Sequence, residues 1–131
     1  MIDSSVWIGL LRNSDSSPVR WLRDIVDAAD DQVLVGELIL LEVLQGARDE
    51  VHAARIEQNL GRYPIAPMLD DAIAVQAARN CRVLRTRGVT IRRTIDMIIC
   101  TFCVAGGHAL LHDDRDFEPM VAHLGLRMVP V

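Results

Sequence analysis

Short apolar runs alternate along the chain with longer stretches in which apolar residues recur every three or four positions. The short runs read as strands: Met1 to Ser4, cut short at its start, then Gln32 to Val35, Tyr63 to Ala66 between two prolines, Ala109 to His112, and Arg127 to Val131. The longer stretches read as helices. Val6 to Arg12 is a short one. Pro18 to Ala29 sets Val19, Leu22, Ile25 and Val26 on one face, with Ser16 or Ser17 as its cap. Glu37 to Ala47 and Glu50 to Leu60 follow. Asp70 to Arg87 ends at Gly88, Thr94 to Val104 is closed by Gly106 and Gly107, and Phe117 to His123 is short. Strands that alternate with helices imply βαβ units, hence an α/β fold with a parallel sheet covered on both faces. Such sheets place their sites beyond the carboxyl ends of the strands.

One helix breaks the pattern. Leu38 to Gly46 reads LILLEVLQG, six large aliphatic residues in the first seven and one carboxylate, Glu42. An unpaired carboxylate is very costly to bury, so it is paired, protonated, metal-bound or turned to solvent. Three more places set acids against apolar runs. Asp3 follows the first strand, Asp96 opens IDMIIC, and Asp113, Asp114 and Asp116 follow ALLH. Each has a plain reading as a cap, a partner of the helix dipole or a turn. Together they have another. A three-layer α/β sandwich can bring all four places to one pocket, and few bases lie beside them, only Arg115 within the last cluster. Converging carboxylates repel unless a cation offsets them. Hard divalent ions with all-oxygen ligands do so, which points to Mg²⁺ or Mn²⁺ and to phosphoryl transfer.

Composition narrows the field. At 131 residues without repeats or linkers, the chain is expected to be one domain, 1–131. Net charge is −4, so bulk charge does not hold nucleic acid and any such contact is a local patch. All 14 basic residues are arginine, which excludes a P-loop lysine, a Schiff base and a phosphorelay receiver's lysine. A dehalogenase-type phosphatase needs D-x-D after the first strand, where this chain has Asp3-Ser4-Ser5. Half the residues are hydrophobic, which suggests apolar surface shared with a partner or a second copy. No run reaches the ~18–20 apolar residues of a membrane span. Asp3 stands where a secretory signal carries bases, so a cytoplasmic protein is expected. Cys100 and Cys103 form a C-x-x-C inside a helical run and read as core residues one turn apart. Their spacing to His108 and His112 is too short for a zinc finger.

The acidic motifs carry a resemblance. MIDSSVWI, LLEVLQGAR and RRTIDMIICTFCVAGGHALLHDDRDFEPM resemble, in order and over essentially the whole chain, the acidic motifs of PIN-domain ribonucleases of the VapC toxin type. Two departures are visible: a short first strand, and His112-Asp113 where a hydroxyl residue is common. The resemblance implies a PIN-like (Rossmann-like) three-layer α/β/α sandwich with a five-stranded parallel sheet. It implies a metal-dependent endoribonuclease, the toxin of a toxin–antitoxin system, with a VapB-type antitoxin as partner and support for a homodimer. Carried over by position, Asp3, Glu42, Asp96 and Asp114 are the catalytic acids. Asp3, Asp96, Asp114 and Asp116 are metal ligands, with Ser5 supporting Asp3.

Arg79 to Arg93 holds six arginines in fifteen residues. Arg79 and Arg82 read as a solvated helix face. Arg87, Arg92 and Arg93 lie near or past the helix end, just before Asp96, and are expected to hold RNA phosphates. Trp7 and Trp21 read as core. The competing reading is a PIN-like module that binds RNA or protein without cutting; loss of an acid would favour it, and none is lost.

Overall fold

A computed structural model of the chain describes residues 1–28 and 32–131. They form an α/β arrangement rich in helix. In order these are α1 (Ser4–Leu11), α2 (Ser17–Asp27), β1 (Val35–Gly36), α3 (Glu37–Gln45), α4 (Glu50–Leu60), β2 (Ile65–Ala66), α5 (Asp71–Thr86), α6 (Thr94–Gly106), a 3₁₀ turn (Arg115–Phe117) and α7 (Glu118–Leu124). The chain divides into two compact units. One comprises residues 1–67, 111–113 and 131, and the other 68–110 and 114–130.

In the first unit, β1 and β2 pair in parallel, Val35 with Ile65 and Gly36 with Ala66. Ile2 pairs in parallel with Leu111, the Asp3 N–H donating to the Leu111 carbonyl at 2.9 Å. Helix α1 packs on α2 and α3, and α3 on α4. Val6, Val19, Leu22, Val35 and Ile39 are fully buried there. Burying each contributes about 1.5–3 kcal/mol. Gly9 permits the α1–α2 approach, since a Cβ there would lie 2.7 Å from Val19 Cγ2.

In the second unit, Leu110 pairs in parallel with Met128. Helix α5 packs on α6 and α7, around Leu84, Met97, Ile99, Leu110, Phe117 and Met120. Asp70 caps α5, its carboxylate accepting from the Ile73 N–H at 2.8 Å. Helix α6 runs to Gly106 and stops on Gly107, whose φ of +70° suits a residue without Cβ. Cys100 and Cys103 are fully buried, one turn apart on α6. Burial, and then the neighbouring Cys103, push the Cys100 thiol up to about 12.

All five segments expected as strands make parallel backbone pairs, but the pairs are shorter than expected: two residues in β1 and β2, single bridges elsewhere. The expected helix Pro18–Ala29 is Ser17–Asp27, and Ala29 lies outside the described residues. The segment expected as the helix Phe117–His123 is a 3₁₀ turn followed by α7. Pro119 favours a helix start just before it, because its fixed φ and missing N–H suit the first turn. Among the described residues no helix is long and apolar enough to cross a membrane.

Candidate metal centre

In the first unit Asp3 sits where the backbone leaves the Ile2–Leu111 bridge and enters α1. It caps that helix. Its Oδ2 accepts from the Ser5 N–H at 3.0 Å and from the Ser5 hydroxyl at 2.5 Å. The same hydroxyl accepts from the Asp113 N–H at 3.1 Å. Ser5 therefore ties two stretches 108 residues apart to one oxygen of Asp3. Asp3 is 1% exposed, yet its other oxygen, Oδ1, is buried with no hydrogen-bond partner among the described residues. A buried carboxylate oxygen left in that state is costly unless something absent from the polypeptide satisfies it.

Glu42 is half-buried on α3. The hydroxyl of Ser4, itself 4% exposed, donates to Glu42 Oε1 at 3.2 Å. The charge inside LILLEVL is thus held by a hydroxyl from the start of α1. Sequence reasoning passed over Ser4. Its position beside Asp3 in the first turn of a helix was the available signal.

In the second unit Asp96 lies in the first turn of α6 and is 1% exposed. Asp114 precedes the 3₁₀ turn and caps it, Oδ1 accepting from the Asp116 N–H at 2.9 Å. Asp96, Asp114 and Asp116 each offer a carboxylate oxygen, and the three oxygens lie within 4.8 Å of one another. Asp113 is exposed and outside this group. Three carboxylates at such spacing suit a hard cation with oxygen ligands. The unsatisfied Oδ1 of Asp3 is of the same chemical kind.

A base is paired with one of these carboxylates. Arg93 Nη2 lies 2.8 Å from Asp96 Oδ1. A residue expected to face RNA phosphate is paired with a candidate ligand, because positions three apart share one side of a helix start. Arg92 and Arg115 line a cavity with Asp96 and Asp116. Arg87 is exposed at the end of α5. Trp7 is buried and tilted against Tyr63, with ring centroids 5.7 Å apart.

Residues 1–121 match the family model described as PIN domain. The chain belongs to the PIN-domain family. Similar proteins include VapC ribonuclease Mb1587 of Mycobacterium bovis and ribonuclease VapC11 of Mycobacterium tuberculosis. Each is 29% identical over 119 residues, which is 90% of this chain and 88% of the relative. The PIN match spans both acidic groups described above: Asp3 with Glu42, and Asp96 with Asp114 and Asp116.

Proposed function

We infer that the chain is a VapC-type toxin, an endoribonuclease that hydrolyses RNA phosphodiester bonds. PIN membership over residues 1–121 supports this, as does likeness to ribonucleases along nearly all of their length. The observation that carries the chemistry is the trio of carboxylate oxygens within 4.8 Å. Asp3, Glu42, Asp96 and Asp114 are the acids proposed to do the work, with Asp116 as an additional ligand. Asp3, Asp96, Asp114 and Asp116 are the residues proposed to hold a hard divalent cation, Mg²⁺ or Mn²⁺, which would supply Lewis-acid polarisation and offset charge at the phosphodiester.

The remaining steps belong to the chain's own groups. Ser5 fixes Asp3 Oδ2, so Oδ1 is the oxygen that would be left for a cation. Ser4 orients Glu42 to hold the attacking water. Asp114 is held in place by the turn it caps. Arg87 and Arg92 hold RNA phosphates and offset their charge beside the acids, while Arg93, expected to act with them, is paired with Asp96.

The wider reading follows the same support. We take residues 1–131 as one PIN domain, because the family match runs through both units and each draws on separated parts of the chain. The parallel pairs at Ile2, Val35, Ile65, Leu110, Leu111 and Met128 support a five-stranded parallel sheet in a three-layer sandwich. The free cysteines Cys81, Cys100 and Cys103 suit a cytoplasmic, reducing setting. A VapB-type antitoxin is the partner that the relatives' names suggest. Half-apolar composition supports a homodimer, which sedimentation at micromolar concentration tests.

The deciding experiment is cleavage of a structured RNA with Mg²⁺ or Mn²⁺, with and without EDTA. Cleavage that stops in EDTA and returns with metal is expected. Cleavage that survives exhaustive chelation overturns the metal mechanism, and no cleavage under any metal overturns the nuclease reading.

A further inference from the structure

A cavity of about 250 Å³ lies in the second unit between the loop that leads into α6 and the start of α7. Asp96 and Asp116 form part of its wall, so it opens directly beside the carboxylate trio. Its other polar walls come from Thr90, Arg92 and Arg115. Its apolar walls come from Val89, Ile91 and Pro119.

The two arginines differ from their neighbour. Arg93 is committed to Asp96 at 2.8 Å. Arg92 and Arg115 have no ion pair or side-chain hydrogen bond among the described residues, and both are exposed. Two arginines beside three acids would ordinarily pair with them. Left unpaired on opposite segments of one cavity, they present a fork of donors suited to a tetrahedral anion. The apolar walls offer a surface against which a sugar and the face of a base can pack.

The geometry points to this cavity as a nucleotide subsite: Arg92 and Arg115 grip the phosphodiester next to the one that is cut, and Val89, Ile91 and Pro119 receive its sugar and base. This rests on the endoribonuclease reading. The pair does two things for it. It anchors the strand so that the adjoining phosphodiester lies over the carboxylates. It also makes the walls of one pocket the place where base preference arises. Arg115 thereby becomes a substrate-positioning residue, although its neighbours in HDDRDF are acids.

The test is equilibrium binding of a short fluorescent RNA in Ca²⁺, with strand integrity checked on a gel, over a range of salt. Arg92→Gln and Arg115→Gln are each expected to weaken binding about tenfold. Each should also lower the slope of log affinity against log salt by about 0.7, the value for one lost phosphate contact on a single strand. Arg115→Lys should recover the slope. Arg55→Gln, an exposed site on α4, should change neither quantity. As competitors, the four nucleoside 5′-monophosphates should outperform inorganic phosphate, and Ile91→Ala should shrink that advantage. Unchanged affinity and slope in both glutamine variants that still cleave RNA would overturn the subsite and leave the nuclease intact. Equal slope loss from Arg55→Gln, or inorganic phosphate matching every nucleotide, overturns it too. Normal slope losses in a chain that cuts no RNA would instead sink the nuclease reading alone.

Discussion

Arg93 holds Asp96: its Nη2 sits 2.8 Å from Asp96 Oδ1, across the first turn of α6. The Asp96 side chain is 1% exposed and that of Arg93 47%. A half-solvated cation on a buried acid is worth at most about 1 kcal/mol, since water screens it. It nevertheless draws on the charge of a carboxylate that a metal would use. Arg93→Gln is therefore expected to tighten divalent-cation binding about two- to fivefold, the factor that energy allows. Calorimetric titration with Mn²⁺ reads this directly. Weaker binding would mean that Arg93 supports the centre rather than competes for it.

Asp96→Asn keeps the shape of that side chain and removes its charge. Cleavage should fall by at least about a hundredfold, more than is typical for a residue one shell further out. Thermal unfolding should shift by no more than about 1 kcal/mol allows. Normal turnover by the folded variant rules out Asp96 as a ligand.

Within HDDRDF the three aspartates should separate. Asp114 and Asp116 contribute oxygens to the trio, while Asp113 is exposed and outside it. Asp114→Asn should cost most of the activity, and it also weakens the cap on the 3₁₀ turn. Asp116→Asn should cost less and be partly restored by added metal. Asp113→Asn should do little, because among the described residues it is its backbone N–H that is used, by Ser5. Metal-titrated cleavage by the three variants measures the order. If the Asp113 variant is the most damaged, the side chains of this loop face differently.

Ser5→Ala removes the hydroxyl that bonds Asp3 at 2.5 Å and receives the Asp113 N–H. Two groups lose a partner, at a cost of about 1–3 kcal/mol each if left unsatisfied. Denaturant unfolding should show that loss, and metal affinity should fall with it. Ser5→Thr should retain more of both than Ser5→Ala, and equal behaviour of the two would remove the hydroxyl from the account.

The cysteines give a prediction with a pH sign. Burial and Cys103 raise the Cys100 thiol from 9.0 to about 12. Its neutral form is thus favoured by folding, a contribution fully present below about pH 9 and lost as pH climbs toward 12. Alkylation of native protein at pH 8 should label Cys81, which is partly exposed, and spare Cys100 and Cys103. Rapid labelling of all three without denaturant would show that α6 opens readily.

Much was legible in the chain itself, because the signals are local. Helix α4 runs from Glu50 to Leu60 as its periodicity and flanks require, and α5 starts on an aspartate that caps it. A cap, a glycine stop and a 3.6-residue period act over one or two turns, so sequence encodes them directly. The two-residue offset of Asp114 and Asp116 is local in the same way. Other features depend on chain segments that only folding brings together. Ser4 reaches Glu42 across 38 residues, Ser5 meets Asp113 across 108, and the buried Asn80 amide donates to Thr101 across 21. No periodicity announces such partners, since each bond exists only once both backbones are placed. Strand length belongs to the same class: a run's apolar character marks it as buried, but how many residues pair depends on a neighbour's register. Arginine roles were decided there as well. Sequence places Arg92, Arg93 and Arg115 near the acids, while tertiary structure commits Arg93 to Asp96 and leaves the other two lining a cavity.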